Sequence, residues 1–138
     1  MTPRRSRPGY IFLISVLAVG AIVTTVVTVL LMTATTSLRS ALSVERAATA
    51  HALAYSCAEH GLRSLWQDPD MTGGDTLTMT GGTCVIRGVG GWGNEERALC
   101  VEATSGDVTR RFEIDLALAL PTVQVTSWAE VPAFTLCP

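Results

Sequence analysis

The hydrophobic and polar positions fall into two regimes. Residues 10–32 are almost wholly apolar, and no charge occurs between Arg7 and Arg39. A helix of these 23 residues rises about 35 Å, enough to cross a hydrocarbon core of roughly 30 Å. The helical pattern continues to about Trp66. Residues 44–66 lack proline, contain one glycine (Gly61) and are rich in alanine, a strong helix former. His51, Tyr55, Ala58, Leu62, Leu65 and Trp66 recur at steps of three and four, a stripe expected to face a globular part. Gln67-Asp-Pro-Asp70 ends the helix, because Pro69 pushes the residue before it out of helical geometry.

From Met71 onward the period changes to short alternating runs punctuated by glycine. Residues 76–80 and 83–89 read as strands joined at Gly81-Gly82, and a glycine-rich loop follows over 90–97. Residues 98–104 and 108–120 read as the next two, turning at Ser105-Gly106-Asp107. In the second of these, Phe112, Ile114 and Leu116 alternate with Arg111, Glu113 and Asp115, one face dry and one wet, as in an antiparallel sheet. Residues 122–127 form a last edge strand, with 128–138 as a partly irregular tail. The expectation is an α+β chain. A long N-terminal helix, transmembrane then amphipathic, packs on a small antiparallel meander. Its divisions are 1–9 (basic leader), 10–37 (transmembrane half), 38–68 (amphipathic half) and 69–138 (disulfide-bonded sheet).

Charge adds an orientation. Arg4, Arg5 and Arg7 precede the apolar run, the positive flank that stays cytoplasmic, so the rest is expected outside. After Gly9 there are seven arginines against twelve acidic residues, a net of −5, which provides no footprint for nucleic acid. A secretory signal is ordered differently, with a shorter apolar core and a small-residue cleavage site beyond it.

Cys57, Cys84, Cys100 and Cys137 all follow the apolar segment, where an oxidising compartment makes disulfides the default. Their spacings of 27, 16 and 37 contain no Cys-x-x-Cys, against zinc. His51 and His60 are nine residues apart, on opposite helix faces, and supply no metal pair. Four cysteines admit three connectivities. Strand parity favours Cys57–Cys84, since Cys84 shares the inward face with Ile86. It leaves Cys100, outward with Glu102, to pair with Cys137.

Chemistry finds little footing. Gly88-Val-Gly-Gly-Trp-Gly93 matches G-x-G-x-x-G, but only four residues separate it from the next strand, too few for the phosphate-binding helix. Trp92 within it is either an exposed tip or a residue folded back on the sheet. Asp68, Asp70 and Asp75 lack the calcium-loop pattern and read as solvated turn residues. Arg110-Arg111 beside Glu113 reads as cross-strand pairing. No nucleophile stands with a base, so neither enzyme activity nor a cofactor is expected.

The order Arg-Ser-Arg-Pro-Gly9, then Tyr10 opening a charge-free helix, resembles the processing site of type IV pilins and pseudopilins. The wider layout is most similar to PilX-type minor pilins, in Cys57-Ala-Glu59, Gly82-Thr-Cys84, the Arg110-Arg111 strand and Ser127-Trp-Ala-Glu130. The resemblance implies cleavage by prepilin peptidase between Gly9 and Tyr10, methylation of the new amine, and packing with other pilin-like subunits through the N-terminal helix. It implies a bacterial cell membrane location, single-pass, with passage into a pilus or pseudopilus. Ala18, Gly20, Ala21, Thr24, Thr25 and Thr28 would allow close helix approach, or simply face lipid. One departure is Ile14, the fifth residue after the junction, where major pilins carry a glutamate. It fits a minor or tip subunit. It equally fits a non-assembling single-pass protein that presents a small disulfide-bonded domain.

Overall fold

A proline at the first helical position, with no other until Pro69, lets one α-helix, α1, run over Pro8–Gln67. The computed structural model describes residues 8–137, so Arg4, Arg5 and Arg7 of the expected leader lie outside the described residues. The helix stops where expected. Asp68 still donates its N–H to Ser64 O at 2.8 Å, Pro69 has none to offer, and Asp70 N–H turns to Asp68 Oδ1 at 3.1 Å.

The chain forms two units divided after Ala41. The first is apolar helix, with every residue from Gly9 to Ala41 exposed. It is long and apolar enough to cross a membrane, with a mean hydropathy of 2.5 over its most apolar window.

The second unit packs the remainder of α1 on a five-stranded antiparallel sheet of order β1-β2-β3-β4-β5, a meander. Its strands are β1 (Thr76–Met79), β2 (Gly82–Gly90), β3 (Glu95–Ser105), β4 (Val108–Leu118) and β5 (Gln124–Glu130). The α+β class is the expected one. Inward side chains of β2 to β4, among them Ile86, Leu99, Val101, Phe112, Ile114 and Leu116, meet Leu53, Ala54, Cys57, Ala58 and Leu65 of α1. Fully burying a side chain such as Leu65 is worth about 1.5–3 kcal/mol.

Three expectations are corrected. The buried stripe of α1 is Ala50, Leu53, Ala54, Cys57, Ala58, Gly61 and Leu65, whereas His51, Tyr55 and Trp66 are exposed. The alanines and the glycine, poor signals of hydrophobicity, let the helix backbone sit close to the sheet, and the bulky aromatics move to its flank. There Tyr55 stacks on Trp128 (centroids 5.1 Å apart), and His51 meets Phe112 edge-on at 5.3 Å. Second, β5 runs to Glu130, so Trp128 belongs to a strand and not to an irregular tail. Third, β4 ends at Leu118 and not at Leu120, because beyond it the backbone turns to Asn94: Ala119 N–H donates to Asn94 O at 2.9 Å and Leu120 N–H to Asn94 Oδ1 at 2.5 Å.

A pairing irregularity between Ile86 and Gly88 leaves Arg87 as the extra residue of β2. Beyond it Val89 packs toward the core and glycines take the outer face. At Gly90 a side chain would collide with the backbone of Leu136, 2.7 Å from a Cβ, so this glycine makes room for the C-terminal segment.

Candidate functional site

The proposed processing residues lie at the start of α1. Gly9 has open space around it, and Tyr10 is 69% exposed. Ile14 is apolar and 49% exposed. The serine and threonine hydroxyls of residues 10–32 are engaged by the helix's own backbone. Ser15 donates to Phe12 O (2.8 Å), Thr24 to Ala21 O (2.9 Å), Thr25 to Ile22 O (2.7 Å) and Thr28 to Thr24 O (2.7 Å). In hydrocarbon each hydroxyl would otherwise go unsatisfied, at a cost of several kcal/mol.

The cysteines are joined as Cys57–Cys84 and Cys100–Cys137, the pairs that strand parity favours, with Cα–Cα distances of 6.1 and 6.2 Å. The first ties α1 to β2 inside the core. The second ties the C-terminal segment across the outer face of β3.

That outer face carries the charge. Glu102 accepts Arg87 Nη2 at 2.7 Å and Arg111 Nε at 2.6 Å. On the opposite face, that of Phe112 and Trp128, Arg110 reaches Glu130 at 2.6 Å, so the arginine pair does form cross-strand bridges. Desolvation raises the Glu102 carboxyl pKa, but hydrogen bonds from Arg87 and Arg111 outweigh it and the net direction is down. Glu113, buried beneath the C-terminal segment, has no arginine. It accepts the backbone N–H groups of Thr135 and of Leu136 (3.0 Å for the latter) and the Thr135 hydroxyl at 3.0 Å. Desolvation again raises its pKa, and the Leu136 and Thr135 donors bring it below the usual glutamate range.

Arg97 organises the loop that carries Trp92. The guanidinium is buried, with Nε on Gly90 O (3.1 Å), Nη1 on Pro69 O (2.5 Å) and Gly93 O (2.7 Å), and Nη2 on Met71 O (3.3 Å). Asn94 closes the other side. Its Nδ2 donates to Leu120 O at 2.8 Å, and its Oδ1 accepts Leu120 N–H at 2.5 Å. The G-x-G-x-x-G match is thus the end of β2 and a turn into β3, with no helix after it. Trp92 stands outward at 95% exposure, which decides between its two expected placements.

The other candidates are not brought together. His51 faces the aromatic flank and His60 lies on the exposed side of α1. Asp68 and Asp70 share the helix-exit turn, while Asp75 lends its backbone oxygen to Ile86. Among the described residues no three His, Cys, Asp or Glu side chains are grouped to hold a metal ion. The roles of Arg97 and Glu113 were not foreseen. Glu113 had a faint signal, an acid among apolar neighbours in a strand, and Arg97 had none, because its partners are backbone carbonyls.

No family model, curated protein or solved structure matches this chain.

Proposed function

We propose that the chain is a minor type IV pilin-like or pseudopilin subunit, cleaved by prepilin peptidase after Gly9 and active in assembling a pilus or pseudopilus. The observation that carries the reading is the junction. Three arginines precede Gly9, Tyr10 opens a charge-free helix, and that helix is one element over Pro8–Gln67. An α+β module held by two disulfides fits the part such a subunit exposes. The partners in this reading are the peptidase, neighbouring pilin-like subunits along the apolar helix, and the membrane before extraction. Placement in a bacterial cell membrane is what the resemblance implies, the arginine flank supports an N-terminus inside, and both are part of the same proposal.

Ile14, which fits a minor or tip subunit, equally fits a second reading, a static anchor that never polymerises. A glutamate in an apolar helix is costly and kept for function, and here that position is isoleucine.

The N-terminal residue and mass of the membrane-extracted chain, made with its own prepilin peptidase, separate the two. A chain beginning at N-methylated Tyr10, with Gly9→Ala left uncut, is the expected result. A chain retaining its arginine leader would favour the anchor, and cleavage beyond the apolar run would end both readings.

A further inference from the structure

The Trp92 loop lies at one end of the second unit. In that unit α1 begins beside the β3–β4 turn, where Arg46 Nη1 meets Asp107 Oδ1 at 2.8 Å, and leaves beside the β2–β3 loop, where Arg97 grips Pro69 O. The loop is therefore at the end of the sheet remote from the point where α1 enters.

Several features coincide there. The largest apolar side chain type stands almost fully in solvent, although a lone exposed hydrophobic is ordinary on any surface. Its support is not ordinary. Gly90 and Gly93 on either side are held by one buried guanidinium, and Asn94 is fastened to Leu120, so Trp92 is presented on an immobilised turn. A side chain held ready in this way loses little freedom on contact, which is how aromatic anchors of interfaces act. Beside it is a cleft of about 370 Å³, with Met71, Val89 and Leu136 supplying apolar wall and Asp70 a carboxylate. A second cleft of about 440 Å³ continues past Leu136 and Gly91 to Glu96 and Asp115. Glu96 has φ of +52°, a conformation uncommon outside glycine and concentrated at functional sites.

The charge here is one-sided. Asp70, Glu95 and Glu96 are exposed, and none of them is ion-paired with a described residue. Among the described residues the one cation lining these clefts, Arg97, directs four N–H groups to carbonyls and keeps its charge, so the three carboxylates leave the end net negative. Trp92 and Asp70 line one cleft and Glu96 the adjoining one, an arrangement that suits a cationic side chain. The ring attracts the cation through its quadrupole, and the carboxylates accept its N–H groups.

We infer that this end of the molecule is a docking tip for an arginine-rich segment of a partner protein, with Trp92 as the stacking residue and Asp70 and Glu96 as the acceptors. The tip is independent of whether the helix assembles or merely anchors.

The test is calorimetric titration of the full chain, in zwitterionic detergent micelles, with hexa-arginine, hexa-lysine and hexa-glutamate peptides. Hexa-arginine is expected to bind more tightly than hexa-lysine, because guanidinium stacks on the ring, and hexa-glutamate not at all. Trp92→Ala is expected to weaken hexa-arginine binding about fivefold or more. Asp70→Asn combined with Glu96→Gln should do likewise, while Glu45→Gln with Glu59→Gln, on α1, changes it little. Trp92 is so exposed that its removal leaves the fold intact, which circular dichroism checks. Absence of hexa-arginine binding would overturn the inference. So would binding that is indifferent to Trp92→Ala yet falls with any acid removed, since that is diffuse charge and not a site.

Discussion

A Cβ placed on Gly61 would stand 2.9 Å from Cδ2 of Leu99, so α1 rests its backbone on that side chain at the middle of the sheet. Alanine there gains helix propensity of about 1 kcal/mol, and the Leu99 methyl groups must give way in return, so Gly61→Ala is expected to be near neutral. Gly61→Val adds branching and volume without that compensation. It should destabilise by about 1–3 kcal/mol, read as a fall in denaturation midpoint with unchanged slope.

Arg97 is expected to resist conservative exchange. Its fork serves four carbonyls in fixed directions, which an ammonium cannot reproduce. Arg97→Lys should cost about 1–3 kcal/mol by leaving some of them unpaired. It should also increase hydrogen exchange at the Trp92 loop before that of β3, and exchange rates resolved by residue check both.

The C-terminal segment is expected to loosen in acid. Glu113 has a folded pKa below its unfolded value of about 4.3, so its contribution is fully present above that value. It is lost as pH falls through the folded pKa, because protonation removes the charge that holds Thr135 and Leu136. Glu113→Gln should lower stability at pH 7 and flatten the fall in Tm below about pH 4.3. Thermal scans from pH 7 to pH 3 compare the two.

The two disulfides should differ in access. Cys57, Cys84 and Cys100 are fully buried, whereas Cys137 is only partly covered. Limited reduction followed by alkylation is expected to label Cys100 and Cys137 first, with the Cys57–Cys84 bond intact. Replacing Cys57 and Cys84 by serine should cost about 2–4 kcal/mol in the chain-entropy picture. Mass mapping and denaturation check each.

The alternation in β4 made the sheet legible, and the parity of Cys84 and Cys100 pointed to both bonds, because a period of two leaves few choices. The phase of the helix was harder. Tyr55 and Trp66 look like core residues in a sequence, yet Ala50, Ala54 and Ala58 are buried, since closeness of approach favours small side chains over hydrophobic ones. The end of β5 was missed for a related reason. Trp128 is opposite Ile114 in the ladder, but irregular pairing hides the rhythm that would have extended the strand to it. Arg97 was illegible because backbone carbonyls have no letter in a sequence. The proposed docking tip depends on that arginine, so in the sequence Trp92 reads as a loop residue and Asp70 as a solvated turn residue, with nothing to join them.

The two disulfides also determine how the module would bear tension between α1 and its C-terminus. Force entering at Cys57 crosses to Cys84, follows the backbone to Cys100, and leaves through Cys137. Loops with sequence separations of 27 and 37 are bypassed, and only the 16 peptide units between Cys84 and Cys100 can be drawn out. That limits extension to about 55 Å, against roughly 280 Å for the same stretch without the bonds. A pulled subunit would therefore yield a short tether and then stop.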